Sequence, residues 1–386
     1  MARIKRPRYV CFFCEDFSFL DIDELLRGRV EEVMARQLYA FSILFGEAVE
    51  LSAEDLELLL ATPAGEWIET GDEERARELA RRGVLLVDDA EGELAELRRR
   101  DERLAELNWN LESAVYHFVA RWRGVDLREG AADLPPPDKE AVREFVDAFG
   151  MPPPAFRSVG GERVELPPAE RAGQLYAALM KRRTTRSFDT ARELPASELA
   201  TVLRYVFGYH GFARLFGEIT TLKRTSPSAG GFHPVEAYPL VLRVEGVEPG
   251  LYHYDSHGHA LERLAPVEPA EGRELAAQFV CGQTYFADAH VLVVLAVRFE
   301  RAFWKYRNHP KALGALLMDA AHLSQTLYLV STDLGLGAFV TAAINNVDID
   351  ERLGLDGYGD GALAVCGFGV PSPTPSPFDP VFERLG

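Results

Sequence analysis

Two apolar runs constrain this chain more than any other feature. The first is Val291-Leu292-Val293-Val294-Leu295-Ala296-Val297, with no polar residue among them. A strand with one face in water alternates apolar and polar side chains, so an unbroken run is a strand covered on both faces. The second is Ala312 to Val330. It reads as a helix that is apolar nearly all round, the pattern of a central helix rather than a surface one. A doubly covered strand followed by a central helix calls for an α+β domain in which helices pack on a sheet.

At 386 residues the chain exceeds what one core usually organises, so two domains are expected. Ala131–Pro137 and Met151–Pro168 are rich in Pro, Gly and charge and read as the crossing between them. The expected division is an N-terminal domain at 1–150, a linker at 151–169 and a larger domain at 170–386. In the first domain Tyr9–Cys14 reads as a strand. Ser52 with Asp55 marks a helix start, and the leucines that follow keep a helical period. Asp72–Arg82 is a second helix and Gly83–Asp88 a short buried strand. That order is winged-helix-like, an analogy at the level of fold. Asn108 to Trp122 forms a further helix whose His117 reads as a packed core residue.

In the second domain the helices expected are Arg171–Lys181, Ser197–Phe207, Leu275–Val280 and Lys311–Leu334. The strands expected are Val235–Val244, Leu251–Tyr254, His290–Phe299 and Ala362–Gly369. The formal charge of -18 argues against a general binder of nucleic acid or anionic membrane. No apolar run reaches the ~18–20 residues that span a bilayer. The N-terminus lacks the form of a secretory signal, so a cytoplasmic protein is expected. Four cysteines make no disulfide framework in so long a chain. Cys11 and Cys14 have no second close pair to complete a zinc site and read as ordinary packing. His253, His257 and His259 cluster around Asp255-Ser256-His257-Gly258, which reads as a hairpin turn. No G-x-G-x-x-G follows a strand, so a dinucleotide-binding domain is not supported.

Two segments carry recognisable chemistry. Lys223 to Tyr254 opens with Ser226-Pro227-Ser228-Ala229-Gly230-Gly231. Small residues and paired glycines let backbone come close to a flat ligand and leave amide N–H groups free to bond it. Upstream, Lys181-Arg182-Arg183-Thr184-Thr185-Arg186-Ser187-Phe188-Asp189 follows an amphipathic helical pattern. Guanidiniums grip phosphate oxygens bidentately, and the hydroxyls add neutral hydrogen bonds.

Together these segments resemble the nitroreductase-like flavoenzymes, in particular the SagB-type dehydrogenases of ribosomal-peptide maturation. In that superfamily an Arg-Arg-Ser-x-Arg-x-Phe segment holds the FMN phosphate and ribityl chain. Here it reads Arg182-Arg183-Thr184-Thr185-Arg186-Ser187-Phe188, with Thr in place of Ser. The family's Pro-Ser-Ala-Gly, which lies against the flavin ring, reads Pro227-Ser228-Ala229-Gly230. Its Gly-Leu-Tyr-x-Tyr reads Gly250-Leu251-Tyr252-His253-Tyr254. The resemblance covers roughly the last 215 residues. It implies a mixed sheet around a buried helix, FMN as cofactor, and a homodimer built on the long helix with FMN at the subunit interface.

It also implies roles for single residues. Gly337 and Ala338 follow the long helix where the superfamily chain passes the isoalloxazine ring. The helix carries Ala321-His322-Leu323-Ser324-Gln325-Thr326 where relatives have a Gly-His-x-x-Gln-Asn-like pattern, so the Gly and Asn are replaced. Gln325 is a cofactor candidate there, and with His322 reads as a structural polar residue of the flavin-facing core. In azoline-oxidising relatives a Lys-Tyr pair is implicated in catalysis, and here it reads Lys305-Tyr306. Adjacent residues on a regular helix do not share a face, so both can act only if the helix is irregular or ends there. After Gly369 many relatives place a basic residue on the phosphate. Here Val370-Pro371-Ser372-Pro373 follows, and the next basic residue is Arg384. The winged-helix-like domain is, by analogy, a clamp for a leader peptide.

The expected function is FMN-dependent oxidation of a residue in a ribosomally made precursor peptide, azoline to azole foremost, beside a cyclodehydratase. One alternative is an NAD(P)H-fed nitroreductase or a reductase of dehydroamino acids. Another is a non-catalytic scaffold or leader-binding subunit.

Overall fold

The computed structural model describes residues 2–20, 27, 30, 32–129, 172–215, 219–374 and 376, with scattered positions from 143 to 167. The chain divides into two compact units. One holds Met1–Arg121 and Phe299–Ala315, the other Trp122–Arg298 and Leu316–Gly386. The division expected at residue 150 thus lies at Arg121. Within the second unit, hydrogen bonds explain why residues 122–129 belong to it. Val125 N–H donates to Asn345 Oδ1 at 2.8 Å, Asn345 Nδ2 donates to the Val125 carbonyl at 2.9 Å, and Leu127 N–H to the Cys281 carbonyl at 2.9 Å. Part of the expected linker at 151–169, and all of 131–137, lies outside the described residues.

The first unit contains β1 (Arg3–Lys5), β2 (Val10–Leu20), β3 (Glu32–Ser42), β4 (Ala48–Leu51), α1 (Ala53–Ala61), β5 (Ile68–Glu69), α2 (Glu73–Arg81), β6 (Leu86–Val87), α3 (Gly92–Leu107) and α4 (Leu111–Val119). They form two small antiparallel sheets, β5-β1-β6 and β2-β3-β4. The helix start at Ser52 is a capping box: Asp55 N–H donates to Ser52 Oγ at 3.1 Å and Ser52 N–H to Asp55 Oδ2 at 2.9 Å. The helix, helix, strand order is present as α1, α2 and β6. The hairpin β2–β3 and the helix α3 flank it, beyond what the local sequence signals indicate. On β2 the three-residue spacing turns Cys11 and Cys14 to opposite faces, which rules out a shared ligand set from that pair.

His117 is buried and stacks on Trp109 with ring centroids 5.2 Å apart, as its reading as core required. Trp109 also meets Phe299 and Phe303, each at 4.7 Å. These aromatic contacts, with Asn308 N–H donating to the Asn108 carbonyl at 2.9 Å, tie Phe299–Ala315 into the first unit.

The second unit contains α5 (Gln174–Lys181), α6 (Ala196–Phe207), β7 (Gly211–Leu215), β8 (Ile219–Lys223), β9 (Val235–Val241), β10 (Gly250–Asp255), β11 (Ala260–Pro266), α7 (Pro269–Phe279), α8 (Thr284–Ala287) and β12 (Val291–Arg298). Beyond α9 (Phe299–Lys305), which lies in the first unit, come α10 (Ala312–Asp333), β13 (Gly337–Thr341), α11 (Asn346–Leu353) and β14 (Asp360–Gly369). One sheet of order β11-β10-β9-β12-β14-β13 dominates. Its ladders are all antiparallel. The parallel component expected of a mixed sheet is confined, among the described residues, to single bridges such as Thr184 with Ala338.

Val291–Val297 forms all but the last residue of the inner strand β12 and is buried at every position, so the absence of alternation had the expected meaning. The long helix departs from expectation. Leu316, Leu323 and Leu327 are buried, but Gly314, Leu317, Met318, Ala321 and Gln325 are exposed on one stripe. Asp255-Ser256-His257-Gly258 is the turn joining β10 to β11, with Asp255 Oδ1 accepting from His257 N–H at 2.9 Å. The neighbouring histidines go separate ways: His253 Nδ1 lies 2.7 Å from Glu262 Oε2, and His259 Nδ1 lies 2.7 Å from the Tyr254 hydroxyl. Among the described residues no helix is long and apolar enough to cross a membrane.

His290, just before β12, is fully buried, and its Nε2–H donates to the Arg192 carbonyl at 2.9 Å. Burial lowers it from 6.5 to about 4, and the Arg243 charge works in the same direction. Its unfolded form therefore takes a proton at a higher pH than its folded form. The resulting stability is complete above 6.5 and is lost as pH falls from 6.5 toward about 4, by ~3 kcal/mol for a shift of this size. Urea unfolding between pH 7 and 4 should show His290→Asn with a flatter acid limb than the parent; identical limbs would refute this.

Candidate flavin site

The arginine segment begins where α5 ends. Arg182 caps that helix, its N–H donating to the Ala178 carbonyl, and the chain then runs extended. Thr185 N–H donates to the Ala338 carbonyl at 2.8 Å, completing the bridge of Thr184 with Ala338. Two motifs far apart in sequence, Arg182–Phe188 and Gly337-Ala338, thus lie side by side. Gly337 is required for this approach: a Cβ there would sit 2.6 Å from Thr185 Cγ2. The far end of the segment is fixed by Asp189 N–H on the Val370 carbonyl at 3.0 Å and by Ser372 N–H on the Ser187 carbonyl at 2.9 Å. The residues after Gly369, where a basic group is missing, therefore fold back along the arginine segment. Arg384 lies outside the described residues.

The side chains form a cationic, hydroxyl-bearing cluster. Thr184 Oγ1 lies 2.9 Å from the Tyr328 hydroxyl, and the Arg182 guanidinium lies over the Tyr328 ring at 5.3 Å. Among the described residues neither Arg182 nor Arg183 forms an ion pair. Burial pushes the Tyr285 hydroxyl up, and the positive charge of Arg186 opposes it. Phe188 is buried, edge-on to Phe339 at 6.3 Å.

The loop Ser226–Gly231 is held by α10. Ser226 Oγ lies 2.6 Å from Thr326 Oγ1. Ser228 Oγ donates to Asp319 Oδ2 at 2.5 Å, and Ala229 N–H donates to Asp319 Oδ1 at 3.0 Å. Gly230 and Gly231 both have positive φ, 64° and 70°, a conformation that other residues adopt at a cost. Pro227 and Gly230 are exposed while the Ser228 side chain turns to the helix. Gln325 is exposed on α10. Lys305 and Tyr306 belong to the first unit. There α9 ends at Lys305, and Lys305 Nζ lies over the Tyr306 ring, 5.4 Å from its centroid. The helix end thus removes the objection that adjacent residues cannot share a face.

Residues 179–370 match the model of the nitroreductase family. A Methanocaldococcus jannaschii protein named for the nitroreductases is 30% identical over 198 residues, which is 50% of this chain and 91% of that protein. The chain belongs to the nitroreductase family. The trifolitoxin-processing protein TfxB of Rhizobium leguminosarum bv. trifolii is 24% identical over 173 residues, 45% of this chain and 46% of TfxB, so less than half of that relative is spanned. Among solved structures, the Escherichia coli microcin synthetase McbBCD complex with truncated pro-MccB17 contains a chain 20% identical, with a TM-score of 0.49 over 73% of this chain and 98% of that one.

Membership makes this an oxidoreductase fold of α+β nitroreductase type. The residues present suit a flavin mononucleotide. Arg182 and Arg183, which form no ion pair among the described residues, suit its phosphate together with the hydroxyls, and a glycine loop with an exposed edge suits a flat ring. Sequence reasoning missed Asp319, Tyr328 and Thr326, the partners that lock these motifs onto the long helix. A signal for Asp319 was available: it is the only charged side chain between Ala312 and Val330. A lone carboxylate in so apolar a helix has to be exposed or bonded.

Proposed function

We propose that this nitroreductase-family chain is an FMN-dependent dehydrogenase that oxidises a residue of a ribosomally made precursor peptide, azoline to azole. The observation that carries the cofactor reading is the Thr185–Ala338 hydrogen bond, which sets Arg182–Phe188 against Gly337-Ala338. The peptide substrate is favoured by the likeness to TfxB, a protein named for processing trifolitoxin. FMN, when bound, supplies the acceptor for a hydride equivalent. Arg182, Arg183, Thr184 and Arg186 would hold its phosphate. Pro227, Ala229, Gly230, Gly337 and Ala338 offer backbone and small side chains to its ring, with Ser228 and Gln325 beside them. Lys305 or Tyr306 takes the proton that leaves the azoline carbon, so the ring loses a proton and a hydride equivalent together. In this reading oxygen would be the final electron acceptor, and a cyclodehydratase would supply the azoline.

A homodimer completes the site in this reading. The exposed stripe of α10 supports it, as does α5, which buries no residue and exposes Leu175 at 67% and Met180 at 65%. A second reading, reduction of nitro compounds or dehydroamino acids by NAD(P)H, is favoured by the Methanocaldococcus relative's name.

The purified full chain should show the visible spectrum of bound flavin, and mass analysis of the released cofactor should give FMN. A colourless protein that takes up no added FMN would end the oxidoreductase proposal. Rapid bleaching by NADPH alone would favour the reductive reading.

A further inference from the structure

Asp319 is a buried charged group bonded to the loop assigned to the flavin ring, and nothing in the proposed chemistry uses it. It is 4% exposed and lies on α10 amid Leu316, Ala320 and Leu323, all buried. Both its oxygens are engaged by one short stretch: Ser228 Oγ–H at 2.5 Å and Ala229 N–H at 3.0 Å. Ser228 Oγ in turn accepts from His233 N–H at 3.0 Å. One carboxylate therefore closes a chain of hydrogen bonds across the turn from Ser228 to His233. Charge-assisted bonds of this kind are the strong ones, and in a dry site they fix geometry. The positive φ of Gly230 and Gly231 lies within this clamp, so the turn keeps its conformation through the carboxylate beneath it.

We propose that Asp319 is a positioning residue for the flavin: it sets the Pro227–Gly230 loop and places one fixed negative charge behind it. This rests on the FMN reading above. Two effects follow. The loop is pre-formed, so FMN binding does not have to order it. A fixed negative charge near the ring opposes the arrival of electrons, so it holds the flavin midpoint potential down.

The test uses the full-length protein, stripped of cofactor, with FMN itself as probe. Affinity is read by quenching of FMN fluorescence and the midpoint potential by dye-equilibrated reduction. Asp319→Asn keeps the shape, but its amide accepts from only one of the two donors and opposes the other with its own N–H groups. FMN should bind about tenfold more weakly or worse, the scale of one lost charge-assisted hydrogen bond. The midpoint potential should rise. Asp319→Glu retains the charge but displaces the carboxylate from its two donors, so it should weaken FMN while leaving the potential near the parent value, which a general loosening of the fold would not do. It also decides the matter on affinity should Asp319→Asn fail to fold. Both variants binding FMN within twofold of the parent, at the parent potential, would overturn the proposal. A parent chain that binds no FMN would instead overturn the cofactor reading on which it stands.

Discussion

Under the proposed function, replacing Lys305 by Ala together with Tyr306 by Phe should abolish peptide oxidation while leaving FMN bound and the fold unchanged. Lys305 and the residues after Tyr306 are exposed, and Tyr306 is half-buried, so neither substitution opens a core cavity. The aromatic contacts that hold the segment belong to Phe299 and Phe303, which the double variant retains. Loss of a positioned base typically removes about 10²–10⁴ of rate, and loss of both candidates leaves no substitute in the pair. The measurement is turnover of an azoline-bearing precursor peptide, with the flavin spectrum recorded on the same sample. Turnover at the parent rate would remove this pair from the mechanism. Loss of flavin along with activity would show that the pair supports the fold rather than the chemistry. The single variants then say which residue takes the proton.

A charge introduced on the exposed stripe of α10 should have an effect of similar size through assembly. Leu317 is 41% and Met318 60% exposed in the single chain. If a second copy covers them, Leu317→Glu with Met318→Glu buries two unpaired carboxylates in an apolar contact, a cost of several kcal/mol. Sedimentation should then report a monomer, and the monomer should have lost its FMN, because the proposed site is completed by both copies. A double variant that remains a flavin-loaded dimer would show that the stripe faces something else. The buried positions of the helix are untouched, so its own packing should survive.

Much of the second unit is legible in sequence because its signals are local. The unbroken apolar run of β12 and the Gly-rich loop before β9 each announce themselves over a few residues, as does the capping box at Ser52 in the first unit. The strand β13 reads in sequence only as a turn. Gly337-Ala338-Phe339-Val340-Thr341 is short, and it becomes a strand by pairing with β14, a contact far away in sequence. The long helix misleads in a different way. An apolar surface on all sides looks the same whether its cover comes from this chain or from another, and periodicity does not distinguish the two. In the candidate site the ligand-facing motifs are visible, because arginines and glycines are unusual in such clusters. Their supports are not. Asp319, Tyr328 and Thr326 act across the fold, and only the folded chain shows which loop each one holds. The extent of the first unit is hidden for the same reason, since no local signal at Phe299 says that its ring will meet Trp109.

The first unit is discontinuous in the gene. Its aromatic centre is assembled from Trp109 on one side and Phe299 and Phe303 on the other, with the proposed flavin-binding segments Arg182–Phe188 and Pro227–Gly230 encoded between them. The two stretches that build it, Met1–Arg121 and Phe299–Ala315, make one compact unit although they lie far apart in the sequence. A truncated chain beginning at Trp122 would present two large rings to water in the helix that leads to Lys305. An exchange of N-terminal regions between relatives would have to carry a matching partner for those rings. An exchange that carries residues 1–121 without Phe299–Ala315 should therefore lose stability, and one that carries both should keep it, as thermal unfolding of the two chimaeras would report.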